Sequence, residues 1–158
     1  MLCVLFTLMI VPAQYKNPIS QIMSYPPAIR KRVETLPEFK DTIKQQEKKQ
    51  VIKKVIACFL ASVLFAGISY FSGAKTFGAA FTHTFILFFV VNIYDLIVLD
   101  IILFCNSKRV IIKGTEDMRA EYRNPIHHIK GAAKGLCLGL IVGLATGSIV
   151  TLINIVWR

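Results

Sequence analysis

Residues 77–105 constrain the fold more than any other part of the chain, because they read FGAAFTHTFILFFVVNIYDLIVLDIILFC, with no lysine, arginine or proline. A helix of this length rises roughly 43 Å, whereas about 20 apolar residues cross the hydrocarbon core of a bilayer. The run therefore predicts a membrane-spanning helix near 78–100 that tilts or extends into the headgroup layer. His83 falls on one side of this helix. The opposite face is aromatic: Phe77, Phe81, Phe85 and Phe88.

Three polar side chains, Asn92, Asp95 and Asp100, interrupt the second half of this run. An ionisable residue inside a span is costly and is a functional candidate by default. The competing interpretation is that the two carboxylates are interfacial anchors paired with Lys108 or Arg109, and that Asn92 serves helix packing. On an α-helix, carboxylates five residues apart diverge by about 140°, so the pattern does not favour a ready carboxylate pair.

The remaining apolar segments predict an all-α fold, a polytopic integral membrane helix bundle. The chain has 158 residues, of which 54% are hydrophobic. Three full transmembrane helices are expected, near 55–71, 78–100 and 131–157, with a short or truncated N-terminal hydrophobic helix. The chain then divides into three parts: that short helix (1–12), a basic amphipathic segment (13–54) and a membrane domain (55–158).

The first apolar segment, residues 1–12, is too short to span a bilayer alone. The small residues near Pro12 resemble a signal-peptidase site, but the run has no basic n-region. Cleavage there would also place the basic segment outside the cell. We therefore expect a partial first helix with its N-terminus outside, or a truncated start if Met1 is an internal methionine.

The positive charge is concentrated in two segments. The net charge is +10, and of 19 lysines and arginines ten lie in 13–54 and six in 106–130, whereas the 72–76 turn holds only Lys75. The positive-inside rule then predicts a multi-pass protein of the cell membrane, with both basic segments cytoplasmic and the C-terminus outside, marked by Trp157 and Arg158. Anionic lipid headgroups explain this charge better than nucleic acid, for which no binding motif is present.

The 13–54 segment carries an amphipathic pattern. Its apolar residues recur at three- and four-residue spacing: Ile29, Val33, Leu36, Phe39 and Ile43. Lipid contact and packing beneath the membrane domain are equally compatible with this pattern. Thr35 and Glu38 have the form of a capping box, which predicts a helix that opens there and continues through Lys54 into the next span. Asn17-Pro18 and Asn124-Pro125 predict two further helix starts.

The last span contains the most specific pattern in the sequence, a ladder of glycines at unbroken four-residue spacing: Gly131, Gly135, Gly139, Gly143 and Gly147. Glycine weakens an isolated helix, so the ladder predicts close helix packing. That packing is either static, within the chain or between copies, or belongs to a moving or pore-lining helix.

No catalytic motif is present, and the sequence predicts neither an enzyme nor a cofactor. The adjacent His127 and His128 point about 100° apart on a helix and make a weak metal pair, so no metal site is expected. The cysteines, each isolated from the others, predict no disulfide framework. They are Cys3, Cys58, Cys105 and Cys137.

Three functions follow from these features. The first, which we favour from sequence, is a non-enzymatic accessory or assembly subunit that packs against a partner membrane protein or against copies of itself. The second is a small oligomeric transporter or channel that uses Asp95 as an ion or proton site, with Asn92 beside it. The least favoured is an interfacial enzyme acting on a lipid headgroup through Asp95, Asp100 and one of the two adjacent histidines, His127 or His128.

Overall fold

Eight helical elements form the fold in a computed structural model that describes residues 1–156, apart from the side chains at 40–42, 44, 47, 48 and 50. Trp157 and Arg158, predicted at the outer interface, lie outside the described residues, as does the side chain of Lys40. The described chain contains no strand. The elements are α1 (Leu2–Lys16), a 3-10 helix (Pro18–Ser24), α2 (Pro27–Thr35), α3 (Lys40–Phe71), α4 (Phe77–Tyr94), a π-helix (Asp95–Phe104), α5 (Arg119–Tyr122) and α6 (Ile126–Val156).

Three helical stretches are long and apolar enough to cross a membrane, which confirms the predicted all-α membrane fold. They are Val51–Phe71, Phe77–Phe104 and Arg119–Val156. The third begins well before residue 131, where the sequence placed the start of the last span. The second continues through the π-helix, so Asp95 and Asp100 both lie inside a stretch of spanning length.

The N-terminal helix α1 is longer than the predicted segment 1–12 and is followed by a sharp bend of 116° into the 3-10 helix. By length and composition the two pieces together fit either a broken fourth span or a re-entrant loop. Asn17 caps the second piece, since its Oδ1 accepts a hydrogen bond from the Ser20 amide at 3.3 Å. The predicted helix start at Asn17-Pro18 is therefore confirmed.

The chain divides into two compact units. The first unit comprises Met1–Ile52 and Ile93–Ala132, and the second comprises Lys53–Asn92 and Ala133–Arg158.

The first unit is built on a buried apolar core: Ile22, Tyr25, Ile29, Val33, Ile43, Phe104, Cys105, Val110, Ile112 and Tyr122. The Tyr25 ring stands edge-on to Phe104 and Tyr122, at 5.0 and 5.9 Å between centroids. Its hydroxyl donates to the Val110 carbonyl at 2.9 Å. The amphipathic residues of the 13–54 segment thus pack into protein, which favours the packing interpretation over lipid contact.

The capping-box prediction at Thr35 is wrong. The Thr35 hydroxyl donates backwards to the Arg32 carbonyl at 2.7 Å, at the end of α2. Leu36 is extended, as a residue before proline prefers, and α3 begins only at Lys40. From there the helix runs unbroken to Phe71, as the sequence predicted for the continuation through Lys54.

The second unit contains a helical hairpin formed by the spanning parts of α3 and α4, joined by a short turn. Gly73 adopts φ +89 in this turn, a conformation that glycine reaches without steric cost. Ala66 and Ala80 pack together in the buried core with Val150 of α6. The contact and the short turn together make these two spans an antiparallel hairpin.

Candidate functional site

The candidate site begins with the π-helix, which replaces the α-helical hydrogen bonds of the second span from Asp95 onwards. The amide of Cys105, for example, donates to the Asp100 carbonyl at 3.0 Å, five residues back. A π-helix has i→i+5 hydrogen bonds and more residues per turn than an α-helix. Side chains five residues apart therefore point in more similar directions around its axis. The π-helix therefore reduces the 140° divergence that an α-helix would give between Asp95 and Asp100. Their carboxyl groups are close enough for their charges to interact.

His128 of α6 pairs with Asp100 within the first unit. The histidine Nδ1 lies 3.0 Å from Asp100 Oδ1, and the two side chains are 3% and 29% exposed. The edge of Phe104 packs on the imidazole at 4.8 Å between centroids. The pair therefore lies against an apolar ring, and its N···O distance is that of a hydrogen bond.

The second ring nitrogen of His128 is buried and has no hydrogen-bond partner among the described residues. If Nδ1 carries the shared proton, Nε2 is a bare acceptor, and if both nitrogens are protonated, Nε2 is an unsatisfied donor. Either state is costly for a buried atom unless a partner completes the hydrogen bond. The Nε2 atom is thus the point in this cluster where a proton, a cation or a water molecule gains most by binding.

The prediction that Asp100 is anchored by Lys108 or Arg109 is wrong. The described ion partner of Asp100 is His128. Arg109 lies over the ring of Tyr15 at 5.6 Å, which turns its guanidinium towards α1. Asp95, half-buried, is within electrostatic range of both Asp100 and His128 and completes the cluster.

His127 has a different partner from its neighbour. Its Nε2 lies 3.2 Å from the Ser24 carbonyl, while the imidazole of His128 turns to Asp100. Among residues 1–156, no group of three or more histidine, cysteine, aspartate or glutamate side chains is arranged to hold a metal. Proton exchange and binding of a simple cation are the chemistries that this cluster offers.

A second feature is the contact between α6 and α4 within the second unit, which contains the last four of the five ladder glycines. A methyl group added at Gly139 would lie 2.7 Å from Cδ1 of Phe88. Added methyl groups at the other three glycines of this unit would also meet α4 side chains at close range: Gly135 on Asn92, Gly143 on Phe81 and Gly147 on Phe77. Gly131, the ladder's first member, has nothing within 4 Å of that position. The aromatic stripe and the glycine ladder, separate patterns in the sequence, thus pack on each other.

A buried polar seam also runs through the second unit, and sequence reasoning missed it. The Ser69 hydroxyl lies 3.1 Å from His83 Nδ1 and 3.4 Å from the Thr84 hydroxyl. Thr146 of α6 donates to the Ser62 carbonyl of α3 at 3.3 Å. Ser62 and Ser69 are seven residues apart and therefore lie on one face of the helix. This spacing is the feature of the sequence that could have predicted the buried polar contacts. These bonds join neighbouring helices, as small polar residues do in membrane bundles.

The Nε of Arg30 is buried and has no hydrogen-bond partner among the described residues. Its Nη1 reaches the sulfur of Met23 at 3.9 Å, a weak acceptor. No periodicity distinguishes this arginine from Lys31 or Arg32.

Comparison of this chain with family models, with curated proteins and with solved structures gives no match. The function therefore has to be argued from the residues themselves.

Proposed function

We propose that this chain is a small, non-enzymatic membrane transporter or channel, and that the Asp100–His128 pair with Asp95 beside it forms its proton or cation site. The observation that carries the proposal is the unpartnered Nε2 of a histidine that is almost fully buried and bonded to a carboxylate through its other nitrogen. Buried ionisable groups in membrane spans are expensive, so an unsatisfied one favours a functional role over a structural one.

The chemistry of the proposed site is an exchange at one atom. A proton or cation that arrives at Nε2 places positive charge beside Asp100, whose carboxylate stabilises it through the short Nδ1 contact. The second carboxylate, Asp95, adds negative charge to the same cluster. The site extends the sequence hypothesis, which assigned the ion to Asp95 with Asn92 beside it.

The orientation belongs to this proposal as well. We place the basic segments 13–54 and 106–130 in the cytoplasm and the C-terminus outside, following the positive-inside rule. Anionic headgroups of the inner leaflet then neutralise the excess of lysine and arginine.

The experiment is a flux assay with the purified full chain in vesicles of phosphatidylcholine and phosphatidylglycerol that enclose a pH-sensitive dye. An imposed membrane potential should acidify or alkalinise wild-type vesicles faster than empty ones. Asp100→Asn and His128→Gln should each slow the change at least about tenfold, since a group that relays protons typically contributes more than that. Sodium and potassium gradients in the same vesicles identify a cation as the transported species.

The matched control is Asp117→Asn, the same substitution at a carboxylate that is 68% exposed and only loosely paired with Arg32, at 3.8 Å. It should retain wild-type flux, because a surface pair at that distance contributes little. Wild-type vesicles no faster than empty ones, or equal flux in all variants, would contradict the proposal.

A second candidate is the accessory or assembly subunit favoured from the sequence. It is supported by the exposure of the span Phe77–Phe104. Only 6% of an apolar 18-residue stretch of this span is buried by the rest of the chain, so most of its surface is open to lipid or to another protein. The partner would have to use a face other than Gly135–Gly147, because α4 of the same chain covers that face. Native mass measurement in mild detergent tests this candidate: a different membrane protein in fixed ratio supports it, and a homo-oligomer without any other protein favours the transporter or channel instead.

A further inference from the structure

A small cleft lies directly after the last residue of the span Phe77–Phe104. One wall is the segment 105–108, and the other is formed by α5 through Arg119, Tyr122 and Arg123. All of these residues belong to the first unit. Because the cleft follows immediately on a stretch of spanning length, its residues are at the level of the lipid headgroups.

The cleft is lined by cations without a matching acid. Lys108, Arg119 and Arg123 contribute three positive charges, and no aspartate or glutamate lines it. The described residues form two ion pairs, Arg32–Asp117 and Asp100–His128, so none of the three cations is neutralised within the described part of the chain. Three like charges around one opening repel each other unless an anion lies between them.

The base of the cleft is rigid. The Tyr122 side chain is buried, and its hydroxyl accepts a hydrogen bond from the Ile112 amide at 3.1 Å and shares a 2.7 Å bond with the Thr115 hydroxyl. The Asn106 amide donates to the carbonyls of Ile101 and Ile102, each at 3.1 Å. These bonds fix the backbone that presents the three cations.

We propose that this cleft binds the phosphoryl group of an anionic ligand. Its volume is about 60 Å³, room for roughly four water molecules and therefore for one tetrahedral oxyanion. Guanidinium groups bind phosphate oxygens through paired N–H donors, and the ammonium of Lys108 adds a third charge. Two sources share this chemistry: the headgroup of an anionic phospholipid and a free phosphate ester or inorganic phosphate.

The proposal is independent of the proposed ion site, since neither Asp100 nor His128 lines the cleft. A chain that conducts no ion can still bind a phosphoryl group here, and the reverse also holds.

The test is native mass spectrometry of the full chain in mild detergent, titrated with phosphatidylglycerol, with phosphatidylcholine of the same acyl chains, or with inorganic phosphate. The binding variant is R119Q/R123Q, and the matched control is K31Q/K113Q, which removes the same charge at two exposed lysines outside the cleft. R119K/R123K keeps the charge and checks that the binding variant has lost a ligand rather than its fold.

Phosphatidylglycerol should bind the wild type and the control with similar affinity and the R119Q/R123Q variant about tenfold or more weakly, with partial recovery in R119K/R123K. Preference for phosphatidylglycerol over inorganic phosphate identifies the lipid as the source, and inorganic phosphate with the same dependence on the arginines identifies the free anion. Equal binding of phosphatidylglycerol and phosphatidylcholine, together with no binding of phosphate, would overturn the proposal. Equal losses in the binding variant and the control would also overturn it, because they indicate diffuse surface charge.

Discussion

At the scale of single residues, His128 and Tyr25 show how polar groups are accommodated in the first unit. Tyr25 is fully buried, and its hydroxyl has a definite acceptor in the Val110 carbonyl. His128 is nearly as buried, but only one of its nitrogens is bonded among the described residues. The first arrangement is that of a core residue, and the second is the one expected where a ligand or proton completes the site.

Tyr25→Phe should destabilise the protein by about 1 kcal/mol, because it removes one buried hydrogen bond without changing the packing of the ring. Burial raises the pKa of the Tyr25 hydroxyl above its usual value of 10.0, and the neighbouring Tyr122 adds to the shift. The folded state thus favours the neutral tyrosine. Its contribution to stability is complete below pH 10 and is lost as the pH rises through the raised pKa.

Chemical denaturation in mild detergent measures both effects, at neutral pH and along a series above pH 10. Tyr15→Phe is the control, at a half-buried ring with no described hydroxyl hydrogen bond, and should change stability by less than about 0.5 kcal/mol. A Tyr25→Phe variant that is as stable as the wild type and loses stability in alkali to the same extent would show that the Val110 contact is unimportant.

At the scale of helices, α4 and α6 of the second unit owe their contact to complementary size. The chain places phenylalanine rings on one helix and glycines on the other, so the rings of Phe81 and Phe88 occupy the space that side chains at Gly143 and Gly139 would fill. Close packing of this kind is the main attraction between helices in lipid, where burial of apolar surface gives no net gain.

Gly139→Ala should lower stability by about 1–3 kcal/mol, because its new methyl group would lie 2.7 Å from the Phe88 ring. Gly131→Ala, the matched control in the same helix, should raise stability by about 0.5–1 kcal/mol, since its methyl group meets nothing and alanine is the better helix former. Unfolding of both variants in mixed detergent measures the change in the free energy of unfolding, which should have opposite signs at the two positions. Equal effects at the two positions would contradict this description of the helix contact.

At the scale of the whole molecule, the sequence predicted the class of fold because hydrophobic length alone decides it. Residues 77–105 are long and apolar enough to cross a membrane, and the structure confirms a helical stretch of spanning length at Phe77–Phe104. The glycine ladder and the aromatic stripe were both visible, but which helix faced which depended on tertiary packing. The sequence grouped Asp95 and Asp100 with His127 or His128 only in the least favoured, enzymatic hypothesis. It could not predict the direct Asp100–His128 contact, because the two residues are far apart in the chain and the π-helix that carries Asp95 and Asp100 has no recognisable residue pattern.

We propose that Asp100 and His128 act as one site, and a double-mutant cycle in the vesicle flux assay is the first measurement to make. Flux is measured for the wild type, Asp100→Asn, His128→Gln and the double variant. If the two residues form one site, the double variant loses no more flux than either single variant, because each substitution already disables the shared site. Losses that multiply in the double variant, or single variants that retain wild-type flux, would contradict the claim.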